Sequence, residues 1–106
     1  MPSFAENLAT LERVEGLMVL ELYDESGAPV AIIENKPGSA GSFRVYCDVA
    51  NKWGGIGPDA AREALELFAE HTEDARLNPG KHPNIDRLFK VIAENRHYTV
   101  QCLPAK

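Results

Sequence analysis

The side chains with the most chemical capacity lie in one stretch, residues 70–87 (EHTEDARLNPGKHPNIDR), which holds two of the three histidines. A helix over residues 58–77 would place His71 at the border of its apolar face, with Asp74 one turn further on. A carboxylate three residues from a histidine can hold the imidazole in one tautomer, which suits a general base or a metal ligand. If this chain has a site, we expect it here.

The proline-glycine turn at 78–80 can fold His82 back toward His71, so that both histidines and Asp74 supply three metal ligands with an open position. The spacing matches no compact metal motif, however. In the alternative interpretation, His71 is a boundary histidine bonded to Asp74, and His82 caps a helix. We name His71, Asp74, His82 and Arg87 as the candidate site, without a cofactor or, alternatively, with a divalent metal.

A second candidate is the glycine-rich loop NKPGSAGS, which follows one predicted strand and precedes a segment of ambiguous structure. Backbone N–H groups at such a strand-to-helix connection can gather around an anion, to which a lysine adds charge. The loop lacks the order of a phosphate-binding loop, and a plain turn is the alternative. The weak anion-binding candidates are Lys36, Gly38, Ser39, Gly41 and Ser42.

The elements that would position these residues form a single small domain of 106 residues, with 44% hydrophobic and 25% charged residues. The net charge of −5 is the wrong sign for a protein that neutralises phosphates, which argues against nucleic acid as a partner. Charge also alternates along the chain, acidic over residues 1–34 and 58–78 and basic over 35–57 and 79–106. This alternation fits self-complementary packing or merely solvated helix faces.

No membrane span or secretory signal is indicated, because the longest apolar run is residues 17–20 and the first residues include acids. We therefore expect a soluble, cytoplasmic protein.

Cys47 and Cys102 match no metal-ligand spacing, and in a reducing compartment they are most simply small buried hydrophobes. Whether they form a disulfide is left open.

The first half of the chain predicts a helix and a hairpin. Ser3 and Glu6 have the form of a capping box for a helix running to about Val14 and ended by Gly16. Strands at residues 17–23 and 30–34 follow, joined by a six-residue turn.

Residues 43–53 fit both a strand and a helix period, and we favour a helix because Ser42 can cap it and Gly54-Gly55 can end it. Two further helices follow, at residues 58–77 and around 85–92, the second capped by His82 or Asn84. A final strand covers 98–102. The order α-β-β-α-α-α-β indicates an α+β fold, a small, largely antiparallel three-stranded sheet with helices packed on one face.

The segments ENKPGSAGS and AEHTEDARLNPGKHPNIDRL resemble a family of short uncharacterised bacterial proteins, a domain of unknown function. The resemblance covers nearly the whole chain, including the opening FAENLATLE and the strand ELYD. It implies a bacterial cytosolic protein of this length and supplies no catalytic residue, cofactor or substrate.

The modest core, the alternating charge and the lack of a compact catalytic motif favour a non-enzymatic interaction or regulatory module. We expect it to bind a protein partner or itself, as a homodimer, through a surface that includes residues 70–87. The alternative is a small metal- or anion-dependent enzyme or ligand-binding protein that uses the same segment.

Overall fold

The structure, a computed structural model, describes residues 2–11 and 17–104. In these ranges the elements are α1 (Phe4–Thr10), β1 (Leu17–Tyr23), β2 (Pro29–Glu34), α2 (Ala40–Trp53), α3 (Pro58–Phe68), α4 (Glu70–Leu77), α5 (Pro83–Glu94) and β3 (Thr99–Pro104). The α+β fold is confirmed, with one more helix than the sequence predicted.

The sheet has the strand order β2-β1-β3, and both outer strands run antiparallel to β1. The last strand of the chain therefore joins the hairpin from far along the sequence, as predicted. Leu20, Leu22 and Ile33 are buried on one face of the sheet, against which α2 packs. Helices α3 and α5 pack against each other, and α3 also contacts α2, so α2 lies centrally in the fold.

Residues 43–53 belong to a helix, α2, which resolves the ambiguity of their periodicity. Gly54 ends the helix in the left-handed conformation, with φ of 78°. The N-cap position is Ser39 rather than Ser42, so the predicted cap was wrong. Ser39 does not cap with its side chain either, because its hydroxyl donates to the Glu34 carbonyl over 2.6 Å and ties α2 to the end of β2.

Helix α1 begins with the predicted capping box of Ser3 and Glu6. It ends at Thr10, earlier than the expected end near Val14, because Leu11 is already extended. Val14 itself and Gly16, the predicted stop, lie outside the described residues.

The helix predicted over residues 58–77 is divided at Ala69, which has φ of 51° and ψ of −115°. At the break, the Asn7 side chain of α1 donates to the Leu67 carbonyl over 2.9 Å, an acceptor that a continuous helix would use for its own backbone. The Thr72 hydroxyl donates to the Leu65 carbonyl over 2.6 Å in the same way. The direction of side chains on α4 therefore cannot be extrapolated from α3. The single helix over residues 58–77, from which we placed His71 and Asp74 relative to an apolar face, does not exist.

None of the helices in the two described ranges has the length and apolar content that a bilayer crossing requires.

Candidate functional site

The two segments that the sequence singled out meet in one cavity of about 320 Å³, which we call the imidazole pocket. Its polar lining comes from His71 at the start of α4, Lys81 and His82 before α5, and Gly41 and Ser42 in the first turn of α2. The pocket thus lies between the beginnings of three helices. Residues as far apart in the sequence as Phe4 and Ile85 share it, because the packing of the helices brings their beginnings together.

Asp74 holds one of the two imidazoles. His82 Nε2 lies 2.6 Å from Asp74 Oδ2, and Lys81 Nζ lies 2.9 Å from the same oxygen. The hydrogen bond from His82, together with that from Lys81, lowers the pKa of Asp74 to about 2. We predicted His71 as the partner of Asp74, and this prediction was wrong. The turn at 78–80 brings Lys81 and His82 back onto α4, where they bind Asp74 instead. His82 occupies the N-cap position of α5 but makes no capping bond.

His71 is the second imidazole. Its ring meets the edge of Phe4, with centroids 4.8 Å apart, and lies 5.7 Å from the His82 ring. Within the described residues, the ring nitrogens of His71 have no hydrogen-bond partner, so they are open to a ligand. In the same ranges, no group of three or more His, Cys, Asp or Glu side chains is placed to hold a metal ion.

The structure places Arg87 outside the imidazole pocket, in a network with Tyr46. Arg87 Nη1 donates to the Tyr46 hydroxyl over 3.1 Å and to Asn84 Oδ1 over 2.9 Å. The Tyr46 hydroxyl in turn donates to the Asn84 carbonyl over 2.5 Å. Burial raises the pKa of Tyr46 to about 12. This network fastens the beginning of α5 to the middle of α2.

The glycine-rich loop contributes backbone rather than charge to the pocket. Gly38, Gly41 and Ser42 line it, whereas Lys36 pairs on the surface with Glu34, 3.5 Å away, and Ser39 faces the end of β2.

Unpaired backbone donors also belong to the lining residues. The amides of Gly41 and Ser42 in α2 and of Asn84 in α5 have no acceptor among the described residues, as first-turn amides commonly do not.

The sequence analysis missed a second surface, the face of the sheet on which no described element packs. We call it the open face. It presents three exposed apolar side chains, Ile32 at 62%, Leu103 at 38% and Val30 at 37% of full exposure. By strand alternation, its members are Val19, Glu21, Tyr23, Val30, Ile32, Glu34, Thr99, Gln101 and Leu103.

Cross-strand pairs make the open face continuous. Val19 lies between Glu34 and Leu103, while Glu21 lies between Ile32 and Gln101. The signal was present in the sequence: β2 reads PVAIIE, without the polar alternation of a strand that turns one face to water.

The family model described as "Uncharacterized protein conserved in bacteria (DUF2322)" matches residues 4–102. No curated protein and no solved structure matches the chain. The match extends over every element from α1 to the Cys102 position in β3, including both the imidazole pocket and the open face. The chain therefore belongs to the bacterial DUF2322 family.

Proposed function

We propose that this protein is an interaction module that forms a homodimer through the open face. The observation that carries the proposal is the exposure of Ile32, Val30 and Leu103 together on one face of a sheet whose other face is buried. A half-covered sheet gains free energy when a second layer covers the exposed apolar side chains of its outer face. A second copy of the same sheet supplies that layer and forms a closed, two-fold assembly.

The size of the open face sets the expected affinity. Three strands about 4.8 Å apart and six residues of about 3.3 Å each give a patch on the order of 300 Å² in projection. Stable complexes bury about 800 Å² per partner, so this interface belongs with weak, reversible ones. We expect a dissociation constant in the micromolar range.

The two acids of the open face differ in how their charge is compensated. Glu34 and Lys36 pair 3.5 Å apart at the end of β2, and Glu21 accepts a hydrogen bond from the Tyr23 hydroxyl over 2.7 Å. Glu34 therefore has a counter-charge within the protomer, whereas Glu21, on the central strand, keeps its negative charge. In a two-fold dimer the two Glu21 carboxylates repel each other, which adds to the small area as a reason to expect weak binding.

Light scattering coupled to size-exclusion chromatography tests the proposal in reducing buffer. The wild-type protein should shift from the 11.7 kDa monomer toward twice that mass as its concentration rises through the micromolar range. Ile32→Glu should remain a monomer throughout, because dimerisation would bury a second unpaired carboxylate beside Glu21 and weaken binding at least about 100-fold.

The matched control is Leu77→Glu, because Leu77 is 73% exposed at the end of α4, away from the sheet. This variant should dimerise like the wild-type chain. A wild-type protein that stays monomeric at all concentrations, or a dimer that Ile32→Glu leaves intact, would refute the proposal.

The imidazole pocket favours a second candidate function, binding of a small anion such as a phosphate or carboxylate group. The residues that line the pocket carry the open nitrogens of His71, the Lys81 ammonium and the unpaired amides of two helix beginnings. Asp74 offsets part of this positive charge, so we expect weak binding.

Titration with inorganic phosphate, followed by nuclear magnetic resonance, tests the second candidate. Amide signals of Gly41, Ser42 and Asn84 should move in the wild-type protein and move far less in His71→Ala. His97→Ala is the control, because His97 is exposed and lines a different cavity. A parallel titration with zinc tests the metal alternative. Phosphate shifts that are the same in His71→Ala as in the wild-type protein would exclude the pocket as their source.

A further inference from the structure

The two cysteines lie side by side although 55 positions separate them in the sequence. Cys47 Sγ and Cys102 Sγ are 3.2 Å apart, and both are free thiols. Cys47 lies on α2 and is 1% exposed, whereas Cys102 on β3 is half-buried. Closing this gap to the S–S bond length of about 2.0 Å requires a movement of only about 1 Å.

We propose that Cys47 and Cys102 form a reversible oxidation site, in which a peroxide converts the thiol pair into a disulfide that ties β3 to α2. The proposal is independent of the function of the open face or the imidazole pocket. It rests on the juxtaposition of two thiols with unequal access to solvent.

The unequal access sets the order of the steps. Cys102 is the more exposed thiol, so its thiolate attacks one oxygen of hydrogen peroxide; the O–O bond breaks, hydroxide leaves, and Cys102 becomes a sulfenic acid. The Cys47 sulfur then attacks the Cys102 sulfur, the S–O bond breaks, and the oxygen leaves as water with the Cys47 proton. In sum, two thiols and one peroxide give one disulfide and two waters.

Burial keeps Cys47 out of the first step. Its surroundings raise the pKa of the Cys47 thiol, so little thiolate exists there to meet an oxidant from solvent. Cys47 reacts instead with the sulfur that is already in contact with it. The dithiol form is restored by a reducing dithiol through thiol–disulfide exchange.

The disulfide would join the last strand to the centre of the fold. Cys102 pairs with Leu20 of β1, and Leu103 beside it belongs to the open face. Strand β3 ends two residues before the end of this sequence and has β1 as its neighbour in the sheet. A covalent link across so long a loop restricts the unfolded chain strongly, so oxidation should raise Tm by roughly 10 °C or more.

The experiment treats the reduced full chain with stoichiometric hydrogen peroxide, alkylates it under denaturing conditions, and digests it with trypsin without reductant. The cysteines fall in separate tryptic peptides, residues 45–52 and 97–106. We expect a linked pair of these peptides from monomeric protein, a higher Tm, and reversal of both by dithiothreitol.

Cys102→Ser is the control, because it removes the half-buried thiol and leaves the buried one in place. Peroxide should change neither its Tm nor the alkylation of its Cys47. The proposal is overturned if oxidised wild-type protein still exposes an alkylatable Cys47 on denaturation. It is likewise overturned if the product is Cys102 sulfinic acid or a link between two copies of residues 97–106.

Discussion

The imidazole pocket and the open face are built on opposite principles. In the pocket, polar side chains from three helix beginnings converge, and Asp74 has already satisfied His82 and Lys81. On the open face, exposed apolar side chains from the strands alternate with polar ones over a surface on which no described element packs. The sequence draws attention to the pocket, because its polar residues are concentrated in one segment. The open face, however, has more exposed apolar surface that a partner could cover.

This difference teaches that a cluster of polar residues and an exposed apolar surface are separate indications of a functional site. Much of the polarity of residues 70–87 is used inside the molecule: Asp86 accepts from the Gly80 amide over 2.9 Å, and Arg76 pairs with Glu73 over 3.2 Å. Ile32, in contrast, is largely exposed, and contact between its apolar side chain and water is unfavourable.

Neighbouring residues on β2 provide the largest expected contrast. Ile33 is 2% exposed and faces the helices, whereas Ile32 is 62% exposed and faces outward. Ile33→Glu should cost at least about 4 kcal/mol by burying an unpaired charge, enough to unfold a small domain. Ile32→Glu should remain folded, as measured by circular dichroism and urea unfolding. Equal losses in both variants would mean that the open face is internal to the fold.

Tyrosine-to-phenylalanine substitutions at two positions compare the stability that each hydroxyl contributes, one in the network beside the pocket and one on the open face. Tyr46→Phe removes the hydroxyl that donates to the Asn84 carbonyl and accepts from Arg87, at a ring that is 0% exposed. We expect a loss of about 1–3 kcal/mol in the free energy of unfolding. Tyr23→Phe removes only a half-buried bond to Glu21 and should cost less than about 0.5 kcal/mol. Urea unfolding monitored by far-ultraviolet circular dichroism distinguishes the two, and a reversed order would contradict the network.

The backbone break between α3 and α4, at Ala69, predicts that a glycine at this position makes the protein more stable. Ala69 has a positive φ of 51°, a conformation that costs an alanine free energy and suits glycine. Ala69→Gly should therefore stabilise the protein by about 1 kcal/mol, whereas Ala93→Gly on α5, at an exposed helical position, should destabilise it by a similar amount. Thermal unfolding measures both. A destabilised Ala69→Gly would indicate that α3 and α4 form one continuous helix.

The smallest effect concerns pH. Asp74 has a pKa lowered to about 2 from an ordinary 3.8, so its hydrogen bonds to His82 and Lys81 stabilise the fold above pH 3.8. That contribution is lost as the pH falls through about 2, because the carboxyl is then protonated in both states. Asp74→Asn should lower Tm at pH 5 and approach the wild-type Tm near pH 2. Glu73→Gln, on the same helix, is the control: its carboxylate pairs only with the exposed Arg76, and its Tm at pH 5 should stay close to that of the wild-type protein.

The sequence predicted local structure better than long-range placement. The capping box of α1, strand β1 and the left-handed end of α2 each follow from residues close together in the chain. The break at Ala69 does not, because no glycine or proline marks it and Asn7, which bonds to the Leu67 carbonyl there, lies about sixty positions away.

The candidate site was predicted in part. The meeting of His71 with His82 follows from the turn at 78–80, and the structure shows it. The arrival of Gly41 and Ser42 in the same pocket depends on the packing of α2, which no local pattern reveals. The position of Arg87 depends likewise on the buried Tyr46.

The most direct test of the central claim is a dilution series of ¹⁵N-labelled protein followed by nuclear magnetic resonance in reducing buffer. Amide signals of Val19, Ile32 and Leu103 should shift with concentration, while those of His71 and Asn84 stay fixed. Shifts confined to the pocket, or no shifts across the micromolar range, would contradict dimerisation through the open face.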